Sequence, residues 1–217
     1  MCGIVGTLNL RPHRPIERHT LRQMLGMLRH RGPDEFGIYR DADVGLGSAR
    51  LSIIDLSGCQ QPITNEDQTL WIVFNGEIYN YVELRPRLER RGHQFTTNTD
   101  TEVLLHLYEE YGPTALDFLN GQFALAIWDA QAHSLFLARD RLGIRPLFYT
   151  MVDGRLIFGS EVKAILAHPD VHAEIDRTAL QQVFTYWSTL SPSTVFEDIQ
   201  EIPPANYLTV TQGGDIE

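Results

Sequence analysis

The chain begins Met1-Cys2-Gly3-Ile4-Val5-Gly6, a stretch that combines a candidate nucleophile with the start of the first predicted strand. A small second side chain favours removal of Met1, which would place a thiol and a free α-amine on Cys2. The ordinary pKa values of these groups are about 8.5 and about 8. The amine can therefore act as the base that activates its own thiol. A free cysteine is also a common small residue of a buried core, which is the alternative interpretation.

Beyond Cys2, apolar periodicity predicts many short strands with helices inserted in groups. The predicted strands are residues 4–10, 36–39, 44–50, 70–74, 121–129, 134–139, 147–151, 155–159 and 207–211. The predicted helices are residues 20–29, 80–91, 101–111, 161–166 and 177–186. Regular strand–helix alternation, the pattern of parallel sheets, does not occur. The sequence thus favours an α+β fold in which two antiparallel sheets stack and helices cover the outside.

Composition excludes several classes of function. The 217 residues carry a formal net charge of −10, which argues against sequence-independent binding of nucleic acid. The N-terminal residues lack the basic stretch and long apolar run of a signal peptide or membrane span. Two cysteines, Cys2 and Cys59, do not make a secreted disulfide framework. We therefore expect a cytoplasmic protein without a membrane partner.

The sequence offers no metal-ligand spacing. Neither a C-x-x-C pair nor a His/Cys cluster of the zinc-binding kind occurs, and the eight histidines are scattered along the chain. The histidines are accordingly expected to be surface or core residues, and no metal site is predicted.

Five motifs in order, together with Cys2, identify a family resemblance. They are Arg31-Gly32-Pro33-Asp34, Arg50-Leu51-Ser52-Ile53-Ile54-Asp55, Asn75-Gly76-Glu77-Ile78-Tyr79-Asn80, Thr99-Asp100-Thr101-Glu102 and Arg139-Asp140-Arg141-Leu142-Gly143-Ile144-Arg145-Pro146-Leu147. With them the chain resembles the class II glutamine amidotransferase domain of glutamine-hydrolysing asparagine synthetases. The resemblance covers residues 1–217 as one domain, with a tail from about residue 203 leading toward an absent synthetase domain. It implies the N-terminal-nucleophile hydrolase fold, a four-layer αββα sandwich.

The resemblance implies that Cys2 attacks the side-chain amide carbon of glutamine, releases ammonia and leaves a thioester that water hydrolyses. The Asn75 side-chain amide and the Gly76 backbone N–H would form the oxyanion hole. Local sequence alone points elsewhere, because Asn-Gly after a strand is a strong hairpin-turn signal. The two interpretations are compatible, since a turn can expose its N–H to a ligand.

The resemblance also implies how the amino-acid end of glutamine is held. Arg50 would bind the α-carboxylate through its planar guanidinium, and Asp100 with Glu77 would bind the α-ammonium group. Leu51, Ile53 and Ile54 would line the pocket. The alternatives are a surface arginine that ends a strand and, for Asp100, an N-cap of the helix that follows.

Further expectations follow from the same resemblance. Residues 31–34 would be a mobile loop that closes over glutamine. Because no pyrophosphatase loop or P-loop occurs, no cofactor is expected in this domain, and ATP and Mg²⁺ are expected only in the absent synthetase domain. The expected partners are L-glutamine, an ATP-dependent synthetase domain in cis or in trans, and a second copy in a homodimer. The competing hypotheses are an amidotransferase of another pathway and a non-catalytic scaffold.

Overall fold

A computed structural model describes residues 1–11, 14–51 and 60–216. Its strands are β1 (Gly3–Asn9), β2 (Glu35–Arg40), β3 (Val44–Arg50), β4 (Ile63–Thr64), β5 (Leu70–Ile78), β6 (Gly121–Asp129), β7 (Ser134–Arg139), β8 (Phe148–Val152), β9 (Arg155–Gly159), β10 (Ile199–Glu201) and β11 (Tyr207–Thr211). Its α-helices are α1 (Arg18–Gly26), α2 (Tyr81–Glu89), α3 (Asp100–Tyr111), α4 (Val162–Ile165) and α5 (Arg177–Tyr186), and a 3₁₀ helix covers Gly112–Phe118.

The strands form two antiparallel sheets. One sheet has the order β10-β8-β9-β1-β3-β2, and the other has the order β11-β7-β6-β5-β4. Strand β1 lies inside the first sheet, where it pairs with both β3 and β9. This pairing fixes the residue that precedes β1, which is Cys2.

Alternation along the strands divides the apolar side chains among three buried layers. Ile4 and Leu8 of β1 face Val73 of β5 between the two sheets. The next residues in each strand point the other way: Val5 packs toward helices α1 and α4, and Phe74 packs toward α2 and α3. Helices therefore cover both outer sheet faces, which confirms the predicted four-layer αββα sandwich.

One prediction from local sequence, the turn at Asn75-Gly76, is wrong. Asn75 and Gly76 do not form a turn, because β5 continues through them and pairs them with Ala124 and Phe123 of β6. Asn80 precedes α2, but its side chain makes no capping bond there. Its Oδ1 accepts instead from the backbone N–H of Asn120. Nine residues of cross-strand pairing over β5 outweigh the local turn preference of Asn-Gly.

The two shortest strands were not predicted from the sequence. Strands β4 and β10 contain only two and three residues, too few for a periodic pattern. In the described ranges, none of the helices combines the length and the apolar character needed to cross a bilayer.

Candidate active site

One pocket brings together the predicted site residues that the structure describes. It lies where the N-terminal end of β1, the end of β3, the middle of β5 and the start of α3 converge. Its lining includes Cys2, Arg50, Leu51, Asn75, Gly76, Glu77 and Asp100. The predicted residues Ile53 and Ile54 lie outside the described residues. Predicted site residues as distant in sequence as Cys2 and Asp100, which are 98 positions apart, thus meet at one place.

The Cys2 thiol is partly buried in this pocket and held by the backbone of Leu51. The Leu51 N–H donates to Sγ at 3.4 Å, and the thiol can donate to the Leu51 carbonyl at 3.7 Å. Burial raises the pKa of the Cys2 thiol, although the Leu51 hydrogen bond and the nearby positive charges partly oppose this rise. A thiol with a raised pKa is protonated at neutral pH and needs a base. Met1 lines the same pocket, so its removal would leave an α-amine beside the sulfur.

Arg31 fixes the backbone of the candidate nucleophile. Its Nε donates to the Cys2 carbonyl at 2.9 Å, and Nη1 pairs with Oε1 of Glu161 at 2.8 Å. Burial alone would raise the pKa of the Glu161 carboxyl, but hydrogen bonds from Arg31, Lys163 and His30 lower it to about 2. The first residue of the predicted mobile loop is therefore an anchor for Cys2. The gating role of residues 31–34 stays a prediction.

The Asn75 side chain is the most unusual polar group of the site. It is completely buried, and neither its Nδ2 nor its Oδ1 has a hydrogen-bond partner among the residues that the structure describes. A buried amide left unpaired costs about 1–3 kcal/mol. Such a group lining a pocket beside Cys2 is arranged to donate to a ligand atom, which is the requirement for an oxyanion hole.

The backbone N–H of Gly76 points away from β6 and toward the pocket. On the β6 side, both backbone groups of the facing Phe123 bind Asp140, so Gly76 and Phe123 do not bond to each other. Residues two apart in a strand direct their N–H groups to the same edge. The N–H groups of Phe74 and Ile78, on either side of Gly76, bind Gln61 and Asp100 at that edge. The Gly76 N–H therefore lies between them, on the pocket side.

Glycine at position 76 is required by packing as well. A Cβ there would lie 2.2 Å from the backbone oxygen of Gln122 and 2.7 Å from Cα of Phe123. Strands β5 and β6 approach so closely at this point that a larger residue would push them apart. The absence of a side chain also leaves the backbone N–H accessible.

Two carboxylates face each other at one end of the pocket. Burial raises the pKa of Asp100, although the Ile78 N–H, bound at 2.9 Å, partly opposes the rise. Burial also raises the pKa of Glu77, and the charge of Asp100 raises it further. A buried and a half-buried carboxylate that repel each other favour a cation between them. Asp100 is not the N-cap of α3, because Thr99 caps the helix by accepting from the Glu102 N–H.

Arg50 contributes a positive charge to the pocket. Only 7% of its side chain is exposed, and Nη1 pairs with Oε2 of Glu35 at 3.1 Å. Glu35 and Arg50 are direct cross-strand partners in β2 and β3. Arg50 is thus an oriented pocket residue, and the alternative of a surface arginine is wrong.

Sequence reasoning missed Arg145. The Arg139–Leu147 motif received no chemical role, yet Arg145 lines the pocket with its Nε buried and without a partner among the described residues. Asp140 shapes this loop by accepting from the N–H groups of Leu142, Ile144 and Arg145. The sequence pattern that could have indicated Arg145 is Asp140 followed by a short turn, which places an arginine near the ends of the strands.

Comparison with known proteins shows the family of the chain. The model of a family described as glutamine amidotransferase domain matches residues 1–217. The chain belongs to this family. As a glutamine amidotransferase domain, it is 44% identical over 217 residues to asparagine synthetase [glutamine-hydrolyzing] 3 of Bacillus subtilis, covering 99% of the domain and 35% of the relative. It is also 44% identical over 219 residues to asparagine synthetase [glutamine-hydrolyzing] 1 of the same organism, covering 100% and 34%. The chain spans about a third of the length of these relatives.

Solved structures support the fold of the glutamine amidotransferase domain. Glutamine phosphoribosylpyrophosphate amidotransferase from B. subtilis, complexed with ADP and GMP, superposes with a TM-score of 0.69 at 21% identity. The match covers 100% of the domain and 49% of that chain. The allosteric regulatory enzyme of purine biosynthesis superposes with a TM-score of 0.70 at 21% identity, over 100% of the domain and 48% of that chain.

Proposed function

We propose that this domain hydrolyses the side-chain amide of glutamine to glutamate and ammonia. The observation that carries the proposal is the buried, unpaired amide of Asn75 in one pocket with the Cys2 thiol. A neutral amide without a partner is stabilised when an oxyanion forms beside it. Because the thiol pKa is raised by burial, the reaction needs the α-amine base that removal of Met1 exposes.

The proposed steps use groups of the pocket alone. The Cys2 α-amine takes the thiol proton while sulfur bonds to the amide carbon of glutamine, and the carbonyl electrons move onto oxygen. The Asn75 Nδ2 and the Gly76 N–H stabilise that oxygen. As the tetrahedral intermediate collapses, the C–N bond breaks, and nitrogen leaves as ammonia with the proton from the α-amine. Water then attacks the thioester carbon and gives a proton to the amine. The C–S bond breaks, glutamate leaves, and the amine returns that proton to sulfur, which restores the thiol.

Substrate selection follows from charge at the two ends of the pocket. Arg50 would hold the α-carboxylate through its guanidinium, while Asp100 and Glu77 would hold the α-ammonium group. The mutual repulsion of these two carboxylates, visible in the raised pKa of Glu77, is relieved by a bound ammonium. The site therefore favours a free amino acid over an amide that lacks these charges.

For the parent protein we propose an asparagine synthetase, in which a synthetase domain uses the ammonia for an ATP-dependent amidation. The 44% identity to two relatives of that name supports this branch. ATP and Mg²⁺ would bind the synthetase domain, with no cofactor in this one. Exposed apolar side chains, among them Phe184 at 82% and Trp187 at 92%, are suited to contact with a further domain. An amidotransferase of another synthetic pathway remains the second candidate, because the solved structures share this fold.

The test is ammonia release from glutamine by the purified chain. We expect release by the wild type, none above background for Cys2→Ala, and no comparable release from asparagine. Binding of glutamine to Cys2→Ala, measured by calorimetry, separates a lost nucleophile from a lost pocket. Undiminished turnover in Cys2→Ala would exclude the proposed mechanism.

A further inference from the structure

A second cluster of chemically competent side chains lies away from the pocket that contains Cys2. Glu66 follows β4, His93 follows α2, and His106 and Glu109 lie on α3. One ligand atom from each residue falls within 4.8 Å of those of the other three. His106 is completely buried and His93 is 10% exposed, whereas the two glutamates are about one-third exposed at 36% and 31%.

Three of the distances among these atoms are close to those of a tetrahedral metal site. Ligand atoms about 2.0–2.1 Å from a central Zn²⁺ ion lie roughly 3.3–3.4 Å from one another when the geometry is tetrahedral. Oε2 of Glu109 lies 3.2 Å from Nδ1 of His106 and 3.5 Å from Nδ1 of His93. Oε2 of Glu66 lies 3.7 Å from Nδ1 of His106. These three separations depart from the tetrahedral value by only a few tenths of an ångström, and all four donor atoms lie within 4.8 Å of one another.

The groups behind these donors resemble the outer shell of a metal site. Metal-bound histidines commonly direct their second ring nitrogen at a carboxylate. Nε2 of His93 lies 3.0 Å from Oε1 of Glu110. Nε2 of His106 is buried, has no hydrogen-bond partner among the described residues, and faces Oε1 of Glu102 at 3.9 Å.

Both glutamates of the cluster are also held from behind. Oε1 of Glu66 accepts from the backbone N–H of Gln94 at 2.7 Å, and Oε1 of Glu109 accepts from Nδ2 of Asn65 at 3.2 Å. These bonds occupy the outer oxygen of each carboxylate, so Oε2 of each is directed into the cluster. The donors are therefore already oriented without an ion.

We propose that Glu66, His93, His106 and Glu109 form a binding site for one Zn²⁺ ion. Two neutral imidazoles and two carboxylates neutralise a divalent cation, and this nitrogen–oxygen set with four donors suits tetrahedral Zn²⁺. Because metal ligands bind in their deprotonated form, any proton on a ligating imidazole nitrogen leaves when the ion binds. This site contradicts the sequence-based expectation of no metal, because the four donors come from three separate segments with no regular spacing.

The ion would fasten three segments together. It would link helix α3 to the β4–β5 connection and to the segment between α2 and α3. The segment between α2 and α3 ends at Thr99, which lines the pocket that contains Cys2. Glu102 of α3 holds this segment by accepting hydrogen bonds from the N–H groups of Thr96 and Thr97 at 2.7 Å each. The role of the metal is thus structural, and the inference does not depend on the proposed reaction.

The test is direct metal binding by the full chain. Because thiols also bind Zn²⁺, both Cys2 and Cys59 are replaced by alanine in every sample. The parent protein is loaded with Zn²⁺, passed through a desalting column and assayed for retained metal by mass spectrometry. We expect about one equivalent retained and a higher melting temperature than in chelator. Substitution with Co²⁺ should give the visible absorption of a tetrahedral nitrogen–oxygen site.

Matched variants locate the ion. Glu66→Gln and His93→Gln remove partly exposed donors, so the fold should survive, and each should weaken Zn²⁺ binding by about 10-fold or more. His19→Gln, at an exposed histidine of α1, should bind like the parent. Retention well below one equivalent in the parent, or unchanged affinity in both Glu66→Gln and His93→Gln, would overturn the proposal. Melting of each variant in chelator shows directly whether it is folded.

Discussion

Replacing Asn75 by alanine separates catalysis from stability. The side chain is completely buried with both amide atoms unpaired among the described residues, so its removal breaks no protein hydrogen bond there. Loss of one oxyanion-hole donor typically costs about 2.7–4 kcal/mol of transition-state stabilisation. We therefore expect kcat to fall about 10²–10³-fold. KM should change little, since the interaction forms only as the oxyanion develops.

The stability of Asn75→Ala follows from the same observation. Loss of packing atoms destabilises the fold, but removal of unpaired buried polar atoms offsets this, since each such group costs about 1–3 kcal/mol. The free energy of unfolding should then stay within about 1 kcal/mol of wild type.

Asn9→Ala is the matched control for this experiment. Asn9 is equally buried at 2% exposure, but Nδ2 donates to the Arg14 and Ala42 carbonyls and Oδ1 accepts from Arg155. Its loss should lower the free energy of unfolding by about 2–4 kcal/mol and leave turnover by the folded protein unchanged. The assays are ammonia release and urea denaturation. A kcat within about threefold of wild type in Asn75→Ala, or a large loss of its stability, would refute the reasoning.

Three further predictions concern charge and packing. Asp100→Asn should raise KM for glutamine about 10-fold or more through loss of a charged hydrogen bond to the ammonium. The melting temperature of this variant should not fall, because the raised pKa of Asp100 means that the ionised carboxylate destabilises the fold at neutral pH. A lower melting temperature with unchanged KM would contradict this prediction. Gly76→Ala should lower the free energy of unfolding by roughly 1–3 kcal/mol, because the added Cβ would meet the Gln122 backbone oxygen at 2.2 Å. Urea denaturation measures this loss, and wild-type stability would disprove the close approach. The Glu161 pKa of about 2 lies below its ordinary value of 4.5, so its contribution to stability is complete above pH 4.5 and is lost as pH falls toward 2. The difference in urea stability between wild type and Glu161→Gln should therefore shrink on acidification, and a difference that is constant from pH 6 to pH 3 would argue against the ion pair with Arg31.

The sequence predicted most strands and helices of the fold well, because apolar periodicity marks buried elements, although strands such as β1 and β3 are buried on both faces. Strands β6, β7, β9 and β11 and helix α5 begin and end at the predicted residues. The errors occur where long-range pairing overrides local chemistry. At Asn75-Gly76, pairing with β6 keeps extended a dipeptide that prefers a turn. At Asp100, the N–H of Ile78 binds the side chain, and the neighbouring Thr99 caps the helix.

The pocket was foreseen only through the family resemblance. Cys2, Arg50, Asn75 and Asp100 lie on different elements, and no local pattern indicates that these elements converge. Arg145 was missed because its position depends on the turn that Asp140 organises. The proximity of His93 and His106 was likewise not predicted, because these residues lie in different segments, and the packing of α3 brings their rings to 4.7 Å.

The central claim is tested most directly by labelling with a glutamine analogue that carries an electrophilic carbon at the amide position. The mass of the protein is measured before and after the reaction. Ammonia-releasing preparations should consist of chains that begin at Cys2. The analogue should add once, on the Cys2 sulfur, with loss of turnover in proportion to labelling. A preparation that retains Met1 and still hydrolyses glutamine at the full rate, or an inactivating adduct on any other residue, would contradict the proposed chemistry.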